Sequence, residues 1–337
     1  MKAAVLTEDG GLGVTTLPDP APRPGEVVVA VAACGVCGSD VHRVERRLGP
    51  PGMVLGHEFG GEVVEVGADV TGLKVGDRVA VNPVAGCGQC ETCRRGIPFA
   101  CRARPNIGIN APGAYAEYVA VPADQCLVLP EGMDARRGAF LEPLAVALQA
   151  VHLSGDVRGA DTLVFGTGSI GLNLVLALRA RGAGRIVAIG RSPARRAMAE
   201  RLGATWVIDS RQDSVPEVFQ TRDYRFWAAY ECSAAPDAID TLIEAVETGG
   251  TVVEVALAER QPVNLLGLVA KGVHLVGSCA FDGPTYRESY DLVFRQGVDP
   301  EPLVTERVGL DELPAAMARL LGPNPPVKVM VEPGRRS

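Results

Sequence analysis

Aromatic residues are scarce in this chain of 337 residues: Phe, Tyr and Trp together make up only 5% of it. Its core must therefore be built from Val, Leu, Ala and Ile. Positive charge is also short, with 33 Lys plus Arg against 40 Asp plus Glu and a formal net charge of -7. No nucleic-acid or anionic-membrane partner is expected, because phosphates favour basic surfaces. Uninterrupted apolar runs of about 18 residues, the length that spans a bilayer, are absent. The N-terminus meets Glu8 and Asp9 before a signal-like apolar segment forms, so a cytoplasmic location is expected.

What is present describes a globular protein. Hydrophobic residues make up 47% and charged residues 22%, near the averages for soluble domains. The length favours two domains at roughly 150 residues each. Forty Gly and 25 Pro, without a Gly-x-y period, point to many turns. Nine cysteines, an odd number, suggest metal ligation or burial ahead of disulfides in a reducing compartment.

Up to about residue 130 the chain reads as short strands separated by turns. Candidates are Val27 to Val31, Gly61 to Val66, Arg78 to Val81, Ala116 to Val121 and Gln125 to Leu129. From Leu144 the pattern alternates. A helix to Leu153 precedes a strand at Asp161 to Phe165, a helix from Gly171 to Arg181 and a strand at Arg185 to Ile189. A helix at Pro193 to Leu202 follows, and Ala204 to Ile208, Phe226 to Glu231, Ile239 to Val246 and Thr251 to Ala256 continue the alternation. Strands alternating with helices of about ten residues imply βαβ units and a parallel sheet. The last 50 residues or so hold a helix at Tyr286 to Arg295 and a strand at Val327 to Val331.

Three motifs carry chemistry. Cys87-x2-Cys90-x2-Cys93-x7-Cys101 can wrap one zinc ion in a closed thiolate cage, which would hold a loop and do no catalysis. The run Cys34-Gly-Val-Cys37-Gly-Ser39-Asp40-Val-His42, followed by Gly56-His57-Glu58, offers thiolate, imidazole and carboxylate. An open catalytic zinc needs three such ligands and a free fourth position. The third motif, Asp161-Thr-Leu-Val-Phe-Gly166-Thr-Gly168-Ser169-Ile170-Gly171, follows a strand and opens an apolar helix. In that context the glycines allow a tight turn and close approach to a pyrophosphate, which the helix N-terminus stabilises. Cys126, Cys232 and Cys279 have no partner at metal-site spacing and read as buried; His152 and His274 read as structural.

In this order the motifs resemble the zinc-dependent medium-chain alcohol dehydrogenases, on their polyol and threonine dehydrogenase side. The resemblance runs from Met1-Lys2-Ala3 to the Val-Lys-Val-Met-Val close. It implies a mostly β, GroES-like catalytic domain at 1–150 and 285–337, with a Rossmann domain of doubly wound parallel sheet at 151–284. It implies Cys37, rather than Cys34, and His57 as catalytic zinc ligands, with Glu58 able to ligate or to exchange with water. Glu142 matches the glutamate that polyol-type relatives use in place of a second cysteine. Asp40 matches the histidine's carboxylate partner, while Ser39 and His42 match a proton relay towards solvent. Gln149 departs from the histidine of many relatives. The implied reaction is reversible hydride transfer between a secondary alcohol or ketone and a nicotinamide, with two zinc ions per chain. The implied alcohol is a polyol, cyclitol or amino alcohol. A homo-oligomer is implied too, tetramer ahead of dimer, joined near Val252 to Val276. The alternatives are a zinc-free enone or quinone reductase of the same superfamily and a non-catalytic binding protein on this scaffold.

For the cofactor, NADP is expected ahead of NAD. An acidic residue about 20 positions after the first glycine holds the ribose 2′-hydroxyl of NAD. Counted from Gly166, that place is Gly190, which leaves room for a larger group, and Arg191, Ser192 and Arg195 follow. Guanidinium and hydroxyl groups suit a 2′-phosphate.

Overall fold

The computed structural model describes residues 1–213, 215–222 and 224–335. Along the chain run β1 (Lys2–Leu6), β2 (Leu12–Thr16), β3 (Glu26–Gly35), α1 (Gly38–Glu45), β4 (Glu58–Val66), β5 (Arg78–Val81), α2 (Glu91–Arg94), β6 (Tyr118–Pro122), β7 (Cys126–Val128) and α3 (Leu141–Leu153). Next come β8 (Thr162–Phe165), α4 (Ser169–Ala180), β9 (Ile186–Gly190), α5 (Pro193–Leu202), β10 (Trp206–Asp209), α6 (Val215–Arg222), β11 (Phe226–Glu231), α7 (Ala238–Ala245), β12 (Val246–Glu254), α8 (Leu265–Lys271) and β13 (His274–Gly277). The chain closes with α9 (Gly283–Phe294), β14 (Val304–Val308), α10 (Leu313–Leu320) and β15 (Lys328–Val331).

Two compact units result. One comprises Met1–Glu142, Phe281–Arg295 and Val304–Ser337; the other comprises Pro143–Ala280 and Gln296–Leu303. Beside the expected division at 150 and 285, the breaks fall at Glu142/Pro143, inside α3, and at Ala280/Phe281.

In the first unit a seven-stranded sheet runs β14-β15-β3-β4-β5-β7, with β6 also paired to β3. Its pairs are antiparallel except β14 with β15. β3 is the organising strand. Val27, Val29 and Val31 on one of its faces join Phe59 and Val63 of β4 and Val79 and Val81 of β5 in one aliphatic core. The period-2 geometry of a strand sends these alternate residues to the same side. Ala33, on the same strand, joins a smaller cluster with Ala139, Phe140 and Met330.

The second unit is a six-stranded, all-parallel sheet in the order β10-β9-β8-β11-β12-β13. Renumbered within the unit, that is 3-2-1-4-5-6, the doubly wound order, with its switch point between β8 and β11. Leu163, Val187, Ile189, Ile208, Ala229 and Val252 of the strands pack against Ile239, Leu242 and Ile243 of α7. β13 ends the sheet, so its outer edge has no strand partner among the described residues. Leu275 on β13 and Leu265, Leu266 and Val269 on α8 are exposed.

The turn between β8 and α4 shows why its glycines are required. Gly166 has φ +117°, in the region that glycine alone enters freely. A Cβ on Gly171 would stand 1.8 Å from the Gly166 carbonyl oxygen. Helix α4 therefore packs onto the strand end only because residue 171 has no side chain. Replacement Gly171→Ala is expected to lower unfolding stability by about 1–3 kcal/mol, the usual cost of overpacking, in a urea titration. An unchanged midpoint would mean that the turn has slack.

Candidate functional site

The four clustered cysteines form one group. Cys87, Cys90, Cys93 and Cys101 bring their sulfurs within 4.8 Å of one another. Cys90 caps α2, so Cys93 follows one turn later on the same side. The Cys90–Cys93, Cys90–Cys101 and Cys87–Cys93 sulfur separations are 3.4, 3.8 and 4.0 Å. Zinc–sulfur bonds of about 2.3 Å in a tetrahedron require sulfur–sulfur edges of about 3.8 Å; a disulfide requires about 2 Å. The spacing fits a metal cage. The Thr92 hydroxyl, 3.0 Å from Cys90 Sγ, and the Cys93 backbone pull the Cys90 thiol down to about 6, which favours the thiolate a metal needs.

A second group is Cys37, His57 and Glu58, whose donor atoms also lie within 4.8 Å of one another. Strand pairing assembles it. β3 ends at Gly35 opposite Glu58, the first residue of β4, while Cys37 caps the helix that follows β3. A Cβ on Gly35 would meet Glu58 Oε2 at 2.1 Å, so glycine opens the space this carboxylate fills. Asp40 stands behind the group, almost wholly buried. Its Oδ2 accepts from the Tyr115 hydroxyl at 2.6 Å and from the Cys37 N–H at 3.3 Å. Its Oδ1 faces His57 Nδ1 at 3.6 Å, which leaves Nε2 as the nitrogen free to ligate.

Sequence reading did not find Lys328 or Tyr115. Lys328 lies on β15, which pairs with β3, and is 4% exposed. Its ammonium donates to Glu58 Oε2 at 2.5 Å and to the Val36 carbonyl at 3.1 Å. Burial opposes its charge, but the Glu58 carboxylate and then Cys37 outweigh burial and hold Lys328 above its ordinary range. His57 behaves alike: burial disfavours the imidazolium, yet Asp40 and Cys37 raise it well above the usual histidine range. Negative charge thus dominates this buried place. Glu58 Oε1, the oxygen that Lys328 does not use, has no hydrogen-bond partner among the described residues. An orphaned carboxylate oxygen beside a thiol and an imidazole suits a borderline-soft divalent cation such as zinc, which would take the place of the proton on His57.

The remaining expected site residues spread out around this group. Glu142 is buried in the first turn of α3 but lies outside the 4.8 Å set. Burial pushes its carboxyl up to about 7, with His57 opposing and Glu58 adding to the rise. Ser39 is half-buried on α1, and His42, one turn later, is partly exposed with Nδ1 3.3 Å from Glu45 Oε2. Cys34 is wholly buried in the aliphatic core and outside both metal groups. Cys279, expected to be buried, is exposed at the end of β13, where the edge strand leaves it uncovered.

In the second unit Gly166 and Gly168 form the turn that opens α4 with Ser169, Ile170 and Gly171. A Cβ on Gly168 would meet nothing within 4 Å, so open space lies over the first helical N–H groups, where a pyrophosphate would sit. Ser169 Oγ is buried and has no hydrogen-bond partner among the described residues. Gly190 needs correcting. The space beside it is taken by Thr167, whose Oγ1 would stand 2.1 Å from a Cβ at 190, so this glycine serves packing rather than a larger ligand. Ser192 caps α5 and Arg191 is exposed beside it. Burial and then the Arg191 charge hold Arg195 below its usual range. Arg196 is committed to structure, donating to the Gly190 carbonyl at 3.0 Å and pairing with Asp209 at 2.7 Å.

Removing Lys328 would strand Glu58. The variant Lys328→Met is expected to lose about 3–5 kcal/mol of stability, as when one member of a buried pair is deleted. Lys328→Met with Glu58→Gln should recover much of that loss, because the unpaired charge is gone. Urea unfolding of the metal-free forms measures both. A single variant as stable as the parent would show that the pair is not coupled.

Comparison with known proteins completes the picture. Residues 23–131 match the alcohol dehydrogenase GroES-like domain family, and residues 169–295 match the zinc-binding dehydrogenase family. A sorbitol dehydrogenase of Bacillus subtilis is 32% identical, over 99% of this chain and 98% of that protein. An L-threonine 3-dehydrogenase of Edwardsiella ictaluri is 31% identical, over 93% of this chain and 94% of that protein. A Sinorhizobium meliloti protein described as a zinc-binding dehydrogenase, solved bound to NADP, superimposes with a TM-score of 0.92 at 32% identity and covers 98% of this chain and 99% of its own. With both of its domains matched and its length shared, the chain belongs to the zinc-dependent medium-chain alcohol dehydrogenases, in their polyol and threonine dehydrogenase branch, and is an NAD(P)-dependent oxidoreductase.

Proposed function

We propose that Cys37, His57, Glu58 and Glu142 hold a catalytic zinc and that Cys87, Cys90, Cys93 and Cys101 hold a second, structural zinc. The observation that carries this reading is the contrast between the two donor sets. Four sulfurs at tetrahedral spacing make a closed site. One sulfur, one imidazole and a carboxylate with an orphaned oxygen make an open one. A closed site holds a loop, whereas an open one admits a substrate oxygen.

Zinc bound at the open site supplies Lewis acidity that polarises a carbonyl or lowers the pKa of an alcohol. The chain's own residues do the rest. Asp40, fixed by Tyr115, faces His57 Nδ1 with Oδ1 at 3.6 Å and so favours Nε2 as the nitrogen that would ligate. Lys328 neutralises one oxygen of Glu58 and orients the other. Ser39 and His42, one turn apart on α1, carry the alcohol proton outward, ending at the imidazole that faces Glu45. A nicotinamide cofactor held at the Gly166–Gly171 turn would supply the hydride acceptor or donor for the substrate carbon. The sorbitol and threonine dehydrogenase relatives make a polyol or amino alcohol the substrate class.

NADP is read as the preferred cofactor. The correction at Gly190 removes one argument for it, but the guanidiniums of Arg191 and Arg195 remain, and an anion such as a 2′-phosphate relieves their mutual repulsion. The NADP-bound relative supports the same reading. The protein is read as a cytoplasmic homo-oligomer, tetramer ahead of dimer. No described helix is long and apolar enough to cross a membrane. Val252 is wholly buried within the sheet, so the expected contact narrows to the open edge at His274–Gly277, beside the exposed leucines of α8.

Two experiments test this. Cys37→Ala should lower kcat by at least about 1,000-fold, since several kcal/mol of Lewis-acid stabilisation is lost, while the circular dichroism spectrum stays unchanged; near-normal kcat would remove Cys37 from the site. With a panel of polyols and amino alcohols, kcat/KM for NADP should exceed that for NAD. Arg191→Ala should then lower the NADP value by about tenfold more than the NAD value. Equal losses would assign Arg191 to packing, and a higher value for NAD would reverse the cofactor preference.

A further inference from the structure

A buried carboxylate in the second unit is tied to a loop beyond its own strand. Glu231, the last residue of β11, is 0% exposed. Its Oε1 accepts from the Ser233 N–H at 2.7 Å and from the Ser233 hydroxyl at 2.5 Å, and its Oε2 accepts from the Ala234 N–H at 3.1 Å. All three donors come from the loop after β11 rather than from the sheet, so the carboxylate serves the loop's shape. Glu254 stands beside Glu231 in register on β12, with its side chain on the same face. The pressure of two neighbouring carboxyls falls on Glu254, which burial and then the Glu231 charge push up to about 7.

The loop that Glu231 holds is under strain and lies against the glycine turn. Ala234 has φ +54°, in the left-handed region that disfavours a residue with a Cβ. The Ala235 N–H donates to Ser233 Oγ at 3.1 Å and closes the same turn. The Cys232 N–H donates to the Phe165 carbonyl, at the end of β8, at 2.8 Å. Gly166 follows directly, and a Cβ there would meet the Cys232 carbonyl carbon and oxygen at 2.9 Å and the Ser233 nitrogen at 3.0 Å. The Cys232–Ser233 peptide is thus fixed by Glu231 on one side and touched by Gly166 on the other. β8 and β11 flank the switch point, where doubly wound sheets bind ligands beyond the carboxyl ends of their strands.

We propose that Glu231 is a positioning residue for cofactor binding: its carboxylate holds the strained Ser233–Ala234 turn and, through the Cys232–Ser233 peptide, sets the glycine turn that takes the dinucleotide. The inference rests on the reading of Gly166–Gly171 as the dinucleotide site.

The test measures the Kd of NADPH and of NADH on the purified enzyme, by the fluorescence of the reduced nicotinamide, with kcat beside it. Glu231→Gln keeps the size of the side chain but turns an amide NH2 towards N–H donors. A loop left in its binding form in about one molecule in 10 to one in 100 weakens apparent affinity by that factor. The Kd of the tighter-bound cofactor should therefore rise about 10–100-fold, while kcat at saturating cofactor stays near wild type. Ser233→Ala, at an exposed position, removes one of the three bonds and should raise Kd by less. Adding Ala234→Gly to Glu231→Gln should recover most of the lost affinity, because glycine adopts positive φ without strain. A lowered thermal midpoint with wild-type Kd in Glu231→Gln would make Glu231 a stabilising group alone and overturn the proposal. If Glu231→Gln does not fold, Ser233→Ala decides, and a wild-type Kd there overturns it. No recovery in the double variant would also overturn it, since the effect would not pass through the loop. Gly168→Asp separates the two readings by placing a carboxylate in the open space over the start of α4. It should abolish binding of both cofactors; wild-type affinity in it would overturn the dinucleotide reading of the turn, and the inference with it.

Discussion

Concentrated negative charge in a buried place is the constraint on which this structure turns. Cys37, Asp40, Glu58 and Glu142 collect around one imidazole at the end of β3 and the start of β4. An isolated buried carboxylate is costly enough that it would sooner take up a proton. The fold offsets that cost with a lysine from the far end of the chain, a tyrosine hydroxyl on Asp40 and a proton on His57. Those devices still leave Asp40 Oδ1, His57 Nδ1 and Glu58 Oε1 without hydrogen-bond partners among the described residues. A divalent cation would settle the remaining charge, with Cys37, His57 and Glu58 as its proposed ligands.

The sheet of the first unit follows from this. β3 carries Gly35, whose missing side chain admits Glu58, and its end delivers Cys37 as the cap of α1. β15 pairs with that same end, which brings Lys328 to Glu58 across 270 residues of sequence. The four-cysteine loop draws its support locally, from the Thr92 hydroxyl and the Cys90 N–H. Its sulfurs come from one short stretch, and four thiolates would saturate a metal without help from distant strands. The second unit offers a proposed cofactor another route, with backbone N–H groups at the start of α4 and glycine where the chain must pass close to itself.

Local patterns were legible in the sequence, and long-range partners were not. The two metal motifs, the glycine turn and the alternation of strands and helices each fit within a few dozen residues, so spacing alone exposes them. Lys328 and Tyr115 carry no motif. Each acquires its meaning from strands or helices that meet only after folding, and a lysine in an apolar terminal strand was the one available signal. Gly190 shows the converse error. Its lack of a side chain was visible, but the neighbour that uses the space, Thr167, belongs to a different turn. Helix α1 escaped notice because its eight residues, Gly38–Glu45, are mostly polar and overlap the metal motif.

The account turns on two metal positions of different character, one closed and one open. Anomalous scattering at the zinc absorption edge, from crystals of the protein as purified, tests it most directly. It predicts two peaks per chain. One should be enclosed by the sulfurs of Cys87, Cys90, Cys93 and Cys101, and the other bonded to Cys37 Sγ and His57 Nε2 with a coordination position left free. A single peak confined to the four cysteines, or a second peak remote from Cys37 and His57, would contradict it.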